Sequence, residues 1–384
     1  MTLDPRSSPA VDRAFWSGKR VFLTGHTGFK GSWLALWLRR LGAHVYGYAL
    51  APPTEPNLFS LAHVEEGLIH RTADIRDAEA LTAAVRDFKP DIVLHLAAQS
   101  ILRLSYDEPV ETYATNVMGT VNVLEAVRRS PSVQVALVIT TDKCYENREQ
   151  IWPYRETDAM GGHDPYSSSK GCAELVVSAY GRSYFNKGQT VVASARAGNV
   201  IGGGDWAKDR LMTDLVASLI HNQKLIIRSP HSIRPWQHVL EPLSGYLRAV
   251  EHLWARRPQG PECWNFGPDT ESDAQVLDVA QEVCRLWDSK IGIEVIADPQ
   301  RRHEAGLLRL DSSKARRELG WRPRLSLGQA LAMTVDWHKA NLAGANMLRF
   351  TYAQIEAYED SVPPGVAKTE AASLTDYPAR KGVA

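Results

Sequence analysis

The sequence has few cysteines, no excess of one charge and no long apolar run. Its 384 residues include four cysteines, none of them in a Cys-x-x-Cys pair, so neither a metal site nor a redox dithiol is expected. Lysine and arginine number 44, as do aspartate and glutamate, whereas nucleic-acid-binding domains usually carry a basic excess. No apolar stretch is long enough to span a bilayer, and residues 1–17 lack the apolar core of a signal peptide. We therefore expect a cytoplasmic protein with neither a nucleic acid nor a membrane as its partner.

Apolar patterns of strand and helix type alternate through the first half of the chain. Strand patterns cover residues 20–24, 44–49, 91–96, 135–140 and 190–196, and helical patterns cover 31–41, 79–88 and 111–129. This alternation predicts an α/β fold with a doubly wound parallel sheet of the Rossmann type, which binds ligands at the carboxyl ends of its strands.

Glycine and proline become frequent after residue 197, which predicts a change of domain. Further helical patterns cover residues 209–222, 273–287 and 326–342. The expected organisation is a Rossmann domain at 15–196 with a returning segment near 236–265, a smaller α/β substrate-binding lobe at 197–345, and a partly disordered C-terminal tail at 346–384.

A glycine-rich loop joins the first predicted strand to the first predicted helix. Gly25, Gly28 and Gly31 form a Gly-x-x-Gly-x-x-Gly spacing, which allows a tight turn and a close approach of the backbone to phosphate. The helix that follows offers free N–H groups and the positive end of its dipole to an anion. The strand–loop–helix context therefore predicts a dinucleotide site. The side chains of His26 and Lys30 lie in this loop and either touch the dinucleotide or are solvated.

The residue that usually binds the adenosine ribose is absent. No aspartate or glutamate lies between Gly31 and Glu55, although an acidic residue about 20 positions after the loop commonly holds the ribose of NAD. No arginine or lysine follows the second strand closely enough to hold the 2′-phosphate of NADP. Charge alone leaves the choice open, and NAD is favoured because the reaction implied below regenerates its cofactor.

A tyrosine and a lysine stand four residues apart in a later segment. On a helix, Tyr166 and Lys170 share one face, and a nearby ammonium lowers the pKa of a phenol, so that the phenolate can accept the proton of a hydroxyl. Thr141, Asp142 and Lys143 follow a predicted buried strand. An acid at that edge of the sheet can protonate a leaving hydroxyl, which points to an elimination; the alternative is a solvated turn.

Longer segments around these motifs resemble one protein family. The segments are residues 24–33, 95–99, 141–147, 161–167, 196–206 and 233–239. Over roughly residues 15–348 the chain resembles the extended short-chain dehydrogenases/reductases that act on nucleotide sugars, and among these the CDP-glucose 4,6-dehydratases. The resemblance implies bound NAD, a nucleotide-sugar substrate and a hydro-lyase reaction whose 4-keto-6-deoxy product feeds deoxysugar biosynthesis.

The resemblance also implies a role for each catalytic residue. Tyr166 takes the proton of the C4 hydroxyl while NAD takes the hydride, and Thr141 hydrogen-bonds the C4 oxygen. Lys170 holds the nicotinamide ribose, and Asp142 protonates the departing C6 hydroxyl. Lys143 stands where related dehydratases commonly have a glutamate, so it is either the base that removes the C5 proton or an ammonium that stabilises the enolate.

Further binding residues follow from the same resemblance. The residues expected at the cofactor are Gly25, His26, Gly28, Phe29, Lys30, Gly31, Asp74, Ile75, Leu96, Ala97, Ala98, Thr140, Tyr166 and Lys170. The residues expected at the nucleotide sugar are Arg103, Asn199, Arg234, Arg301 and His303. A surface salt bridge is the alternative for Arg103, while Trp206 and Trp236 either stack on the base or pack in the core.

Other interpretations stay open at this point. A dehydratase of dTDP-glucose or GDP-mannose would use the same mechanism, a 4-epimerase would share Tyr166 and Lys170 without needing Asp142, and a binding protein would show no turnover. The family commonly pairs subunits through two helices from each. We therefore expect a homodimer or homotetramer formed through residues 111–129 and 173–184.

Overall fold

The computed structural model describes residues 11–185, 190–269, 273–296 and 306–361. The strands are β1 (Arg20–Thr24), β2 (His44–Ala49), β3 (Ile69–Thr72), β4 (Ile92–His95), β5 (Val135–Ile139), β6 (Val191–Ala197), β7 (Val200–Ile201), β8 (Leu225–Ile227), β9 (Ile233–Pro235), β10 (Gln237–His238), β11 (Glu262–Phe266), β12 (Asp273–Gln275) and β13 (Ile293–Val295). Seven of them form one parallel sheet in the order β11-β6-β5-β4-β1-β2-β3.

Helices connect these strands. They are α1 (Arg13–Trp16), α2 (Phe29–Arg40), α3 (Leu58–Leu61), α4 (Ala78–Phe88), α5 (Leu102–Asp107), α6 (Pro109–Tyr113), α7 (Gly119–Arg128), α8 (Pro165–Tyr184), α9 (Leu211–Ile220), α10 (Leu240–Arg256), α11 (Val276–Trp287), α12 (Ser313–Leu319), α13 (Leu327–Leu342) and α14 (Met347–Glu359). A π-helix (Ala114–Met118) joins α6 to α7, and a 3-10 turn (Asp142–Cys144) follows β5. Within the described ranges, no helix has both the length and the apolar character needed to cross a membrane.

The sheet is covered by helices on both faces, because its strands carry apolar side chains in both directions. In β1, Val21 and Leu23 join the core cluster that contains α2 and α10, while Phe22 joins the cluster that contains α4 and α7. Successive side chains of a strand point to opposite faces, and strands covered on both faces read as continuous apolar runs. The predicted doubly wound parallel sheet is therefore confirmed.

The chain leaves the sheet after β6 and returns to it once. Three short strand pairs follow, β7–β10, β9–β12 and β8–β13. Residues of β7 and β8 and the apolar faces of α9, α11 and α13 form a separate core cluster. Between these elements, α10 runs back across the large sheet and leads into β11, which adds to β6 as a parallel edge strand.

A helix, α14, occupies the first part of the predicted tail. Met347, Ile355 and Tyr358 are buried on α14, and the Trp37 indole of α2 donates to the carboxylate of Glu359 over 2.8 Å. The helix forms because its apolar residues recur at helical spacing and bury one face against α2 and α13. The remaining residues, 362–384, lie outside the described part of the chain.

Candidate active site

A cavity of about 590 Å³ lies at the carboxyl ends of the strands, within the usual size range of a small-molecule site. It is bounded by the loops that follow β1, β2, β4, β5 and β6 and by residues of the smaller lobe. All but one of the described residues predicted for the site line it: Gly25, Gly28, Phe29, Lys30, Gly31, Asp74, Ile75, Leu96, Ala97, Ala98, Arg103, Thr140, Thr141, Asp142, Lys143, Tyr166, Lys170, Asn199 and Arg234. The exception is His26.

The glycine loop forms a cradle that larger residues would fill. Gly25 has a positive φ of 77° and packs so closely on the next loop that a Cβ would lie 2.7 Å from the nitrogen of Ala97. A Cβ on Gly31 would overlap the carbonyl oxygen of Gly25. Gly28 is the N-cap of α2, so the unpaired N–H groups of the first helical turn face the cavity edge. This geometry fits a dinucleotide pyrophosphate.

His26 lies beneath the loop, which differs from the predicted contact with the dinucleotide. Its ring is fully buried, its Nε2 is 2.7 Å from Nδ1 of His70, and it packs edge-on against Phe59. Gly47 of β2 leaves the room, because a Cβ there would lie 2.4 Å from the His26 ring. Burial and the neighbouring His70 lower the pKa of His26 to about 3. The side chain is therefore a neutral part of the core.

Lys30 extends into the cavity toward other charged groups. Burial, followed by the charges of Arg210 and Lys170, lowers the pKa of Lys30 to about 8, while Asp142 and Asp205 act in the opposite direction. The first turn of α2 thus places an ammonium between the glycine loop and the predicted catalytic residues, where it faces any anionic group of a bound ligand.

Among the described residues between β2 and β3 that line the cavity, none has a carboxylate that could hold a ribose. The backbone from Ala49 to Ala51 lines the cavity there together with Thr54 and Asn57. Asp74, after β3, also lines the cavity, and its carboxylate accepts from the Arg76 guanidinium over 2.8 Å. The hydrogen bonds from Arg76 hold the pKa of Asp74 below its ordinary value, against the effect of partial burial.

Asp142 is a buried acid with one unpaired oxygen. Its Oδ1 accepts from the hydroxyl of Thr141 over 2.9 Å, and its Oδ2 has no hydrogen-bond partner among the described residues. Burial raises the pKa of Asp142 above its ordinary value, although Lys143, Thr141, Arg234 and Lys30 counteract this effect. The 3-10 turn after β5 therefore presents a carboxyl group that is biased toward its protonated form.

Tyr166 enters the cavity from the start of α8. Asp164 caps this helix by accepting from the backbone N–H of Ser167 over 2.8 Å, and Pro165 occupies the first turn. Burial raises the pKa of Tyr166 to about 12, while its hydrogen bond with Thr141 and the charge of Arg210 act to lower it. The phenol is thus in contact with the same threonine that holds Asp142.

Lys170 follows Tyr166 by one helical turn, as the spacing predicted. Its Nζ donates to the backbone carbonyl of Ile139 at the end of β5 over 3.1 Å. Burial lowers the pKa of Lys170 to about 8, and Glu174 raises it. The lysine therefore joins α8 to the strand end from which the catalytic turn begins.

The residues predicted for the nucleotide sugar lie on the lobe side of the cavity. Arg103 lies on α5, and its Nε is 3.6 Å from a carboxylate oxygen of Asp209. Arg234 is buried and donates to the carbonyl oxygens of Ile233 and Gly306 over 3.1 and 3.3 Å. Asn199 also lines this wall. Arg301 and His303 lie outside the described residues.

Trp206 and Trp236 line the cavity as well. Trp206 packs edge-on against Trp337 with ring centroids 5.7 Å apart, and Trp236 is buried in the core of the lobe. Both rings therefore make packing contacts, which is one of the two predicted alternatives.

Arg210 is a cavity residue that the sequence analysis missed. Its guanidinium donates to Asp205 over 2.7 Å and to the Ser100 hydroxyl over 3.0 Å, so it joins the lobe to the loop after β4. Its positive charge also acts to lower the pKa of Tyr166. The signal available in the sequence was an aspartate and an arginine five residues apart, directly after three glycines. Charged side chains at such a position lie where the chain turns back toward the sheet.

Comparisons with known proteins agree on one family. The family model described as GDP-mannose 4,6 dehydratase matches residues 22–334. A CDP-glucose 4,6-dehydratase of Salmonella typhimurium is 50% identical over 353 residues, which are 91% of this chain and 98% of the relative. A dTDP-glucose 4,6-dehydratase of Xanthomonas campestris is 28% identical over 83% of this chain and 93% of its own.

Solved structures show the same fold. A dTDP-glucose 4,6-dehydratase of Bacillus anthracis in complex with NAD has a TM-score of 0.72 at 22% identity, covering 86% of this chain and 100% of that one. A UDP-glucose 4-epimerase of Thermotoga maritima with UDP-glucose has a TM-score of 0.73 at 22% identity, covering 84% and 99%. The fold is thus common to dehydratases and epimerases. On the family model and the Salmonella relative, the chain belongs to the GDP-mannose 4,6-dehydratase family of nucleotide-sugar dehydratases.

Proposed function

We propose that this protein is a CDP-glucose 4,6-dehydratase that uses NAD and forms CDP-4-dehydro-6-deoxy-D-glucose. The observation that carries the proposal is the placement of Asp142 and Tyr166 on the two sides of Thr141 in one cavity. An oxidation at C4 needs a base near the hydroxyl, whereas loss of the C6 hydroxyl needs an acid close by. A 4-epimerase needs the first group alone, so the buried Asp142 favours a dehydratase.

Tyr166 acts as the base for the C4 hydroxyl of the sugar. Its phenolate accepts the hydroxyl proton, and Thr141 holds the C4 oxygen through the hydroxyl that already contacts the phenol. Because burial favours the neutral phenol, cations are needed to favour the phenolate. Lys170, one turn along α8, and Arg210, across the cavity, provide them.

When bound, NAD would supply a hydride acceptor for C4 and, once water has left and C5 regains a proton, a hydride donor for C6, so the cofactor would be regenerated in each cycle. The glycine cradle, the first turn of α2 and the loop from Leu96 to Ala98 would hold it. Lys170 would hold the nicotinamide ribose and Asp74 the adenine. Solved structures with this fold contain NAD, and the sequence has no lysine or arginine between Leu50 and His70, which agrees with a ribose that bears no phosphate.

Asp142 acts as the acid in the elimination of water. Once C4 is a ketone, the C5 proton becomes acidic, and its removal gives an enolate whose collapse expels the C6 oxygen. The carboxyl group of Asp142 donates its proton to that oxygen, which leaves as water. The unpaired Oδ2 and the raised pKa both suit a group that must hold a proton until this moment.

Lys143 lies next to Asp142 and lines the same cavity, where two roles remain compatible with its position. As a free amine it removes the C5 proton, and as an ammonium it stabilises the enolate oxygen. Lys143→Arg keeps the charge but removes the base. If Lys143 is the base, this variant stops the exchange of the C5 hydrogen with deuterated water, while a stabilising ammonium leaves most of that exchange intact.

Mass spectrometry of nucleotide sugars tests the proposed reaction. The purified protein and NAD are incubated in parallel with CDP-glucose, dTDP-glucose, GDP-mannose and UDP-glucose. We expect the loss of one water from CDP-glucose and little change in the other three. Dehydration of a different donor would keep the mechanism and refute the proposed substrate, whereas no dehydration with any donor would refute the proposed reaction.

We also propose a homodimer or homotetramer that pairs α6–α7 and α8 with the same helices of a second copy. Val110, Met118 and Leu175 on these adjoining helices are 82%, 53% and 60% exposed, and apolar side chains in such numbers on neighbouring helices favour an interface. Leu175→Lys should reduce the molar mass measured by light scattering to that of a smaller assembly. Val295→Lys, on the distant β13, is the matched control because Val295 is 53% exposed.

A further inference from the structure

A buried ion pair lies directly behind the catalytic wall of the cavity. The Oε2 of Glu174 is 2.7 Å from Nη2 of Arg196, and the two side chains are only 3% and 4% exposed. Glu174 follows Lys170 by one turn of α8, while Arg196 comes from β6. The pair therefore joins the helix that carries Tyr166 and Lys170 to the sheet beneath them.

Glu174 is held by more than its charge partner. Its carboxylate accepts from the hydroxyls of Thr140, in a short hydrogen bond, and of Ser194 over 2.7 Å. Burial acts to raise the pKa of Glu174, but Arg196 and these hydroxyls overcome it and hold the pKa below its ordinary value. Glu174 is thus a fixed anion, and through Thr140 it also anchors the residue that precedes Thr141.

Few charges face Lys170. The titratable groups that interact electrostatically with it are Lys30, His95, Cys144 and Glu174, and Tyr166 precedes it by one turn of α8. His95 is neutral because burial lowers its pKa to about 3, and Cys144 is a neutral thiol because burial raises its pKa. Lys30 is itself a cation. Among the described residues that act on Lys170, the fixed negative charge is therefore Glu174.

We propose that Glu174, oriented by Arg196, is a positioning residue that keeps Lys170 in its ammonium form at neutral pH. The inference rests on the proposed function, in which Lys170 assists Tyr166. A carboxylate one helical turn away favours the cation in a site where water is largely excluded. Without it, the lysine would lose its proton in the range where the enzyme must work, and the phenolate would lose its partner.

Chemical labelling of Lys170 tests the proposal without substrate. Acetic anhydride reacts with free amines and not with ammonium ions, so the extent of acetylation of the Lys170 peptide, followed by mass spectrometry against pH, reports its protonation. The parent protein should show a midpoint at a pH of about 8. In Glu174→Gln the midpoint should fall by about one pH unit, the effect of removing a negative charge near a buried cation.

Two variants separate charge from structure. Glu174→Asp keeps the anion and should keep the midpoint, and Ser194→Ala removes one hydrogen bond to Glu174 without changing any charge and should do the same. If Glu174→Gln does not fold because Arg196 is left unpaired, the double variant Glu174→Gln/Arg196→Gln has no unpaired buried ion. The labelling midpoint of Lys170 should also fall in this double variant, because the variant lacks the negative charge that Glu174 places on the helix of Lys170.

The pH dependence of turnover is the second measurement. The alkaline limb of the rate profile should move to lower pH in Glu174→Gln by the same amount as the labelling midpoint, with rates that approach those of the parent at low pH. A uniform loss of rate at every pH, or an unchanged labelling midpoint in a folded Glu174→Gln protein, would overturn the proposal. If turnover is absent even in the parent, the proposed function fails, while the labelling result still decides the role of Glu174.

Discussion

Replacing Asp142 by asparagine separates the two halves of the proposed reaction. The side chains have nearly the same shape, and the amide oxygen can keep the 2.9 Å hydrogen bond from Thr141. The amide nitrogen would take the place of Oδ2, which has no partner among the described residues, so no protein hydrogen bond is lost. Because Asp142 is already biased toward its neutral form and the amide has nearly the same shape, the melting temperature should change little.

We expect Asp142→Asn to lower the rate of the elimination step and not the rate of oxidation at C4. A positioned general acid contributes about 10²–10⁴-fold to a rate, which corresponds to about 2.7–5.5 kcal/mol of transition-state free energy. Dehydrated product should therefore form about 10²–10⁴ times more slowly in Asp142→Asn. Oxidation at C4 depends on Tyr166 and Thr141, so it should proceed at a rate close to that of the parent.

A single-turnover experiment measures both steps. After mixing with CDP-glucose, the near-ultraviolet absorbance of reduced nicotinamide should rise and persist in Asp142→Asn, whereas it should be brief in the parent protein. Quenched samples analysed by mass spectrometry give the rate of water loss. Water loss within about threefold of the parent rate would refute the assignment of Asp142 as the acid. An equal loss of both steps would show that Asp142 only shapes the site.

Three other changes test the site and the fold. Tyr166→Phe removes the base, so both the reduced-nicotinamide signal and the dehydrated product should fall by at least about 10²-fold, and any product formed at the parent rate would refute its role. Gly31→Ala forces a Cβ onto the carbonyl oxygen of Gly25 and should abolish NAD binding in calorimetry; unchanged affinity would contradict the proposed cradle. Ile355→Ala should lower the free energy of unfolding by about 2–5 kcal/mol in a denaturant titration, since Ile355 is fully buried, and a change near zero would show that α14 does not stabilise the fold.

The parts of the site that lie next to strand ends and helix starts could be predicted from the sequence. Asp142 follows β5 and Tyr166 begins α8, and a doubly wound sheet brings such positions to one edge. Arg210 also directly precedes a helix, α9, but its role depends on Asp205 in the preceding loop and on Ser100 across the cavity. Contacts of this kind are set by the path of the chain through the lobe, which local patterns do not encode.

For His26 the error is the opposite, because its place in a local motif predicted a ligand contact that its side chain does not make. The loop position predicts exposure to a ligand, but the room that Gly47 leaves and the rings of Phe59 and His70 draw the side chain inward. The helix α14 in the first part of the tail was not predicted for a related reason. Polar residues separate Met347, Ile355 and Tyr358, and their helical spacing becomes informative only when α2 and α13 are there to cover it.

Burial acts on the catalytic groups in opposite directions, and this sets the pH range of the proposed reaction. It raises the pKa of Asp142, which must be protonated to act as the acid, and lowers the pKa of Lys170 to about 8, which must be protonated to support the phenolate. Both required forms are lost as the pH rises, while the phenolate of Tyr166 is favoured as the pH rises. The rate should therefore pass through a maximum and decline above a pH of about 8. Glu174 widens that range, because each increase that it causes in the pKa of Lys170 extends the interval in which acid, ammonium and phenolate coexist.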